Sequence, residues 1–359
     1  MRVKRADLLK VLQMASVGVS GREILEQSHT FVFAKGRLLT FNDEVFFSYP
    51  TPLELEGAVP AEDLLNVLNK LPDEEIDVDL VGSELVLKGH RRSAGLAYAA
   101  EVKLPVDSVP RPSDWADVGP EFIKVLLQAA RCCGRDFAAP WTTMVHVTSS
   151  LVEACDNQRF FRYTKATGLK QDIGIPASAI ETVARLGVTK VAVGSGWIHF
   201  RTTDRAVVSI RSSHEKYHPG VEKLLEMTKP ASVELPAALV EMIERAGVMN
   251  ETTYDAKVTV NVASDELTLT ARKDTGWYKE SKRIKYAGHP IGFDVNPDFL
   301  CELLRLTSKI TVDANKLKIV AGPITFVVAL LQRADKPTKK EQEPAATEEQ
   351  APDVDENQE

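Results

Sequence analysis

Apolar and polar positions alternate along this chain in a pattern that repeats. From Gly57 the string GAVPAEDLLNVLNKLPDEEIDVDLVGSELVLKG opens with a short apolar stretch and a turn residue. It continues as about three turns of amphipathic helix and ends in two alternating strands. IGIPASAIETVARLGVTKVAVGSGWIHFRT, from Ile173, and GFDVNPDFLCELLRLTSKITVDANKLKIVAG, from Gly292, follow the same plan. Tight turns at Val81-Gly82-Ser83, Gly194-Ser195-Gly196 and Asp313-Ala314-Asn315 join their strands. A half-unit precedes each copy. Its helices begin VKRADLLKVLQMAS, VGPEFIKVLLQAARC and VELPAALVEMIERAG; its strands lie in HTFVFAKGRLLTF, TTMVHVTSSLVEAC and AKVTVNVASDELTLTA.

Pro60, Pro176 and Asn296 occupy the same place in successive copies, 116 and 120 residues apart. Repeats of that length are repeated domains, not a solenoid of short units. The expectation is an α+β protein of six helix-plus-strand modules in three similar domains, residues 1–112, 113–229 and 230–333. The boundaries fall in the Pro-rich stretch Leu104–Ser113 and near Met227–Ser232. Residues 334–359 contain almost no apolar side chains and read as a disordered acidic tail.

One stripe of each helix is apolar and is expected to pack on a sheet. Its members are Leu8, Leu12 and Ala15; Leu64, Leu68 and Leu71; Phe122, Leu126 and Ala130; Ile180 and Val183; Leu239, Ile243 and Ala246; Leu300, Leu303 and Leu304. The opposite stripe carries at least one base in every helix: Lys10, Lys70, Lys124 with Arg131, Arg185, Arg245, and Arg305 with Lys309. A solvated helix face ordinarily holds a base. Its recurrence in six equivalent helices instead describes a diffuse positive surface without base-reading groups, suited to sequence-independent phosphate contact.

Net charge argues against nucleic acid only at first sight. The chain carries -7, but the segment from Asp335 holds nine acids and three lysines, so nearly all of that charge lies in the tail. A nearly neutral body accommodates a basic face when its acids lie elsewhere.

Catalytic constellations are poor. The chain has no Walker-type phosphate loop, no HExxH and no GxSxG. Cys132, Cys133, Cys155 and Cys301 have neither disulfide-framework nor zinc spacing, and the seven histidines form no ligand set. His146, Cys155 and Asp156 are near in sequence but are expected to face different ways on alternating strands. No cofactor and no metal are expected, and no enzymatic activity. No apolar run reaches the ~20 residues of a membrane span, and the N-terminus does not read as a signal peptide; a cytoplasmic setting is expected.

Taken with local motifs, the repeat resembles the bacterial sliding-clamp family, the DNA polymerase III beta subunits, over about Met1 to Arg333. The family's ATDGHRL-like stretch reads Ala154-Cys155-Asp156-Asn157-Gln158-Arg159-Phe160 here, with Ala154, Asp156 and Arg159 kept. An FPDYRRVLP-like stretch corresponds to His218 to Glu226, and a final strand like YVVMPMRL to Phe326 to Arg333. The resemblance implies two chains closed head to tail into a ring, with helices lining the hole and sheets outside. It implies a processivity factor that tethers a DNA polymerase to duplex DNA and is loaded by a clamp loader. It also implies a pocket for partner peptides between the second and third domains, using Trp141, Cys155, Asn157, Gln158, Phe160, Pro219, Lys223, Leu224, Val327, Ala329 and Leu330. DNA-facing loop residues of the family match Arg22 and Arg135.

The departures are Asn157-Gln158 in place of Gly-His, Ala329-Leu330-Leu331 in place of Met-Pro-Met, and the acidic extension. They suit a specialised clamp, for example a phage-encoded one. An alternative reading is a clamp-fold ring that recruits transcription or repair proteins.

Overall fold

A computed structural model describes residues 1–332, apart from residues 137, 214–216, 218–219 and 250–255. The tail, Arg333 and Pro219 therefore lie outside the described residues. The first repeat unit runs β1 (Arg2–Lys4), α1 (Arg5–Ala15), β2 (Thr30–Ala34), β3 (Arg37–Phe41), β4 (Val45–Pro50), β5 (Gly57–Pro60), α2 (Ala61–Lys70), β6 (Glu75–Val81), β7 (Glu84–Gly89) and β8 (Arg92–Ala97). The second repeats the order. It comprises β9 (Ala116–Asp117), α3 (Pro120–Ala130), β10 (Met144–Val147), β11 (Leu151–Cys155), β12 (Arg159–Thr164), β13 (Ile173–Pro176), α4 (Ala177–Arg185), β14 (Val188–Gly194), β15 (Trp197–Thr202) and β16 (Val207–Arg211). A short α5 (Val221–Leu225) lies in the connector. The third unit comprises β17 (Ala231–Glu234), α6 (Leu239–Ala246), β18 (Val258–Ala263), β19 (Glu266–Lys273), β20 (Gly276–Arg283), β21 (Ile291–Val295), α7 (Pro297–Leu304), β22 (Lys309–Val312), β23 (Lys316–Ala321) and β24 (Ile324–Ala329).

Local chemistry sets these boundaries. Asn296 caps α7, its side-chain oxygen accepting from the Asp298 and Phe299 amides, and Pro297 supplies a preset φ at the first helical position. Glu62 and Asp63 open α2 and Lys70 closes it, each complementing the helix dipole. The β14–β15 hairpin turns through Ser195 and Gly196, both at positive φ (52° and 80°), the conformation a two-residue hairpin needs.

The predicted helices are all present, with one stripe shifted. In α3 the buried residues are Val125, Leu126 and Ala129, while Phe122 and Ala130 are half-buried. Lys309, contrary to the expectation, begins β22 and does not belong to the helix face.

Strand pairing joins the units. β5-β2-β3-β4 of the first unit continues through β4–β16 into β16-β15-β14-β9 of the second, making one eight-stranded sheet. β13-β10-β11-β12 of the second continues through β12–β24 into β24-β23-β22-β17 of the third. At each seam the first half of one unit meets the second half of the next. Two four-stranded sheets are left over, β1-β6-β7-β8 and β20-β19-β18-β21.

The helices of each unit pack as pairs, α1 on α2, α3 on α4, α6 on α7. One apolar core runs beneath them through all three units. Two smaller clusters sit on the outer face of the seam sheets, away from the helices. One holds Val32, Phe41 and Trp197 under Leu104 and Val109. The other holds Cys155, Phe160 and Val327 under Val221. In both, the connector between two units supplies the cover.

Candidate nucleic-acid and partner interface

On the helix side, Lys10, Lys70, Lys124, Arg131, Arg185 and Arg305 are all exposed, as are Arg22 and Arg135 on the loops after α1 and α3. Among the described residues, no ion pair engages Lys10, Arg22, Lys70, Lys124, Arg131, Arg135 or Arg305. Arg131 and Arg305 sit at the C-terminal ends of α3 and α7, where a cation complements the helix dipole. The β12–β24 seam brings the two together: both line a small cleft of about 70 Å³, with Gln128, Glu302 and Leu306 at its rim and Phe161 and Phe326 at its floor. Arg22 lines a shallow groove of about 620 Å³ beside Ser20, Gly21, Asn42, Asp43 and Glu44.

Two of the predicted bases are ion-paired. Arg185 pairs with Glu181 one turn back at 3.0 Å while remaining exposed. Arg245 forms a two-pronged contact with Glu280 of β20, at 2.7 and 3.1 Å. Its hydrogen bonds to Glu280 and Tyr278 raise its pKa. Its guanidinium is thus turned to the sheet, an arrangement that spacing on the helix does not reveal.

On the outer face, the β12–β24 seam assembles part of the predicted pocket. Trp141, Cys155, Phe160 and Val327 fall in one apolar cluster. Phe160 is 1% exposed and Val327 5%, so both are walls, not free anchors. Leu224 is 41% exposed and stands on α5 at the rim. Lys223, Asn157, Gln158 and Ala329 are also exposed. Leu330 departs from the expectation, because it packs against the main core.

Val221, Leu225 and Tyr217 complete the cluster and had no signal in the helix and strand periodicity. The Tyr217 ring stacks on His146 with centroids 4.6 Å apart, and its hydroxyl lies 3.4 Å from Cys155 Sγ. His146 and Cys155 therefore share a face, contrary to the expectation that they diverge. Asp156 does point the other way, holding Arg159 at 2.9 Å while Arg159 lies over the Phe299 ring of α7. Burial pushes the Cys155 thiol up to about 11 and that of Cys133 to about 12. Neither is a nucleophile at neutral pH.

Polar contacts hold α5 in place. Lys316 Nζ donates to the Lys223 and Leu224 carbonyls at 3.3 and 3.1 Å, and Lys318 Nζ to that of Leu225 at 2.7 Å. These are the carbonyls a helix end leaves unpaired. Glu222 on the same turn reaches Arg162, which also pairs with the buried Glu153. Further along the connector, the Thr228 amide donates at 2.6 Å to Asp313 of the β22–β23 turn, which also accepts from the Ala314 amide at 2.8 Å. These bonds to backbone amides pull its carboxyl down to about 2.

No family model and no curated protein sequence matches the chain. Solved structures do. The DNA polymerase III subunit beta of Pseudomonas aeruginosa aligns at TM-score 0.77 and 18% identity, over 93% of this chain and 100% of that one. The DNA polymerase sliding clamp of Bacillus subtilis aligns at TM-score 0.81 and 12% identity, over 93% and 99%. The Thermotoga maritima DNA polymerase III beta subunit aligns at 0.77 and 15%, over 93% and 99%. This chain has the sliding-clamp fold along essentially its whole described length.

Proposed function

We propose that this protein is a sliding clamp: a non-enzymatic ring that encircles duplex DNA and tethers a DNA polymerase to it. The observation that carries the reading is the strand order at the seams. Each seam joins the first half of one unit to the second half of the next. The half-units left over within one chain are the second half of the first unit, ending at β8, and the first half of the third, ending at β20. Joining β20 of one chain to β8 of another continues the rule and removes two open sheet edges. With two chains the six units close under two-fold symmetry. The fold of the bacterial clamps supports the same arrangement.

Inside such a ring the paired helices present Lys10, Lys70, Lys124, Arg131, Arg185 and Arg305 to the hole, with Arg22 and Arg135 at its margin. Diffuse cations contact phosphates without reading bases and permit sliding. Asp313, Lys316 and Lys318 fix the connector, so Leu224 stands beside the Trp141–Phe160–Val327 wall. We assign that rim as the docking place for short apolar peptides of the polymerase and the clamp loader. In this reading the chain divides at residues 112 and 229 and needs no cofactor. A transcription or repair recruitment ring has no observation in its favour.

Light scattering and negative-stain imaging test the closure. The expected mass is about twice 39.6 kDa, in six-lobed rings with an open centre. A stable monomer, or a trimer, contradicts it.

A further inference from the structure

The third strand of each unit's first half opens with a pair of aromatic residues: Phe46-Phe47 on β4, Phe160-Phe161 on β12 and Trp277-Tyr278 on β20. At the two seams within the chain the pairs have partners across the join. Phe46 lies opposite Ser209 and Phe47 opposite Val208. Phe160 lies opposite Val327 and Phe161 opposite Phe326. In each pair the first ring points to the outer face and the second to the helix side. The third pair is unmatched: Trp277 is 60% exposed, whereas Phe160 is 1% exposed.

The missing partner can be located by counting. β24 and β8 both follow two-residue turns, closed by Ala321 opposite Ile324 and by Gly89 opposite Arg92. Val327 and Phe326 are three and two residues beyond Ile324. The same steps from Arg92 reach Gly95 and Ala94. Facing agrees with the count, since Leu96 packs toward the core and Gly95, one residue away, projects to the outer face. The count thus sets the aromatic pair on β20 against Gly95 and Ala94, two of the three smallest residues of β8. Gly95 carries no side chain of its own on the outer face; the Glu84 carboxylate, with Oε2 2.7 Å from where a Cβ would stand, swings aside to leave the notch that Trp277 requires.

We propose that Trp277 packs over Gly95 of a second copy of this chain, with Tyr278 opposite Ala94, and that this knob and notch set the register of ring closure and select a like subunit. The proposal rests on the ring reading and adds to it a specific anchor and a basis for self-recognition. A clamp subunit with a bulky side chain at the notch position is excluded from a mixed ring, the repulsive element that specificity requires.

Directly opposed residues of an antiparallel pair lie ~4.5–5.5 Å apart at Cα, inside the range a disulfide spans. The full-length chain carrying Gly95→Cys with Trp277→Cys should, on oxidation with copper phenanthroline, yield a covalent dimer. Either single variant should not, and nor should Gly95→Cys with Ser281→Cys, which is four residues out of register. Trp277→Ala should raise the dimer dissociation constant ~thirtyfold for each of two seams. Trp277→Phe should recover part of that loss. Gly95→Leu should also dissociate the ring while the chain stays folded, because an added Cβ meets only the flexible end of Glu84, at 2.7 Å. Cross-linking of the Ser281 pair in preference to the Trp277 pair overturns the register and leaves the ring standing. Unchanged dimerisation of both Trp277→Ala and Gly95→Leu overturns the anchor. A wild-type chain that is monomeric at all concentrations overturns the ring itself.

Discussion

Phe160→Ala and Leu224→Ala touch the same rim and should have opposite consequences. Phe160 is 1% exposed and packed against Cys155 of β11 and, across the β12–β24 seam, against Val327. Truncating a buried phenylalanine removes its transfer free energy and leaves a cavity, about 3–5 kcal/mol together. The ring also joins two units, so its loss should loosen the seam before the individual units unfold. Leu224 is 41% exposed and its helix is held through backbone carbonyls by Lys316 and Lys318. Its truncation should change stability by no more than about 0.5 kcal/mol. If Leu224 is an anchor for partner peptides, binding should weaken by about 1–2 kcal/mol, or ~5–30-fold. Urea unfolding followed by tryptophan emission reports the first effect, and fluorescence anisotropy with a labelled polymerase-tail peptide the second. Unfolding of several units need not be two-state, so the earliest transition is the one to compare. An unchanged first transition in Phe160→Ala would refute the packing argument. An unchanged peptide affinity in Leu224→Ala would refute the rim assignment.

Charge reversal at Arg22, Lys124 and Arg135 together should weaken loading without unfolding, since all three are exposed. The slope of log affinity against log salt should shallow by ~2.7 if all three contact phosphate, and an unchanged slope would remove them from the DNA surface. His199 is buried and bonded to Ser209 at 2.7 Å, and burial lowers its pKa to about 4. Its unfolded value is ~6.5, so the neutral ring's contribution is fully present above that pH and is lost as pH falls toward 4. His199→Gln should lack that part of the pH dependence, and stability profiles of the same shape for both proteins would contradict the assignment.

The sequence carried the modules because their signals are local. An amphipathic helix followed by alternating strands shows in any window of that length, and the spacing of Pro60, Pro176 and Asn296 exposed the threefold repeat. The seams were not legible, because β4 meets β16 and β12 meets β24 across about 160 residues with no local mark. For the same reason Arg245 was read as a phosphate contact: its carboxylate partner, Glu280, lies 35 residues away on a strand. The outer cluster was half legible. Trp141, Cys155, Phe160 and Val327 came through the resemblance, whereas Tyr217, Val221 and Leu225 lie in a connector without periodicity. Leu330 was misplaced because one residue of register moves a side chain to the opposite face. The aromatic pairs at Phe46, Phe160 and Trp277 were a usable signal, but their meaning depends on knowing which strand lies opposite.

Retention on DNA tests the central claim most directly. Protein loaded on a nicked circular plasmid is washed in 1 M salt, the plasmid is cut once with a restriction enzyme, and bound protein is measured before and after. Phosphate contacts alone release steeply as salt rises, whereas a closed ring stays until the DNA has an end. The account predicts persistence on the circle and loss on linearisation. Equal loss from circular and linear DNA at high salt would contradict it.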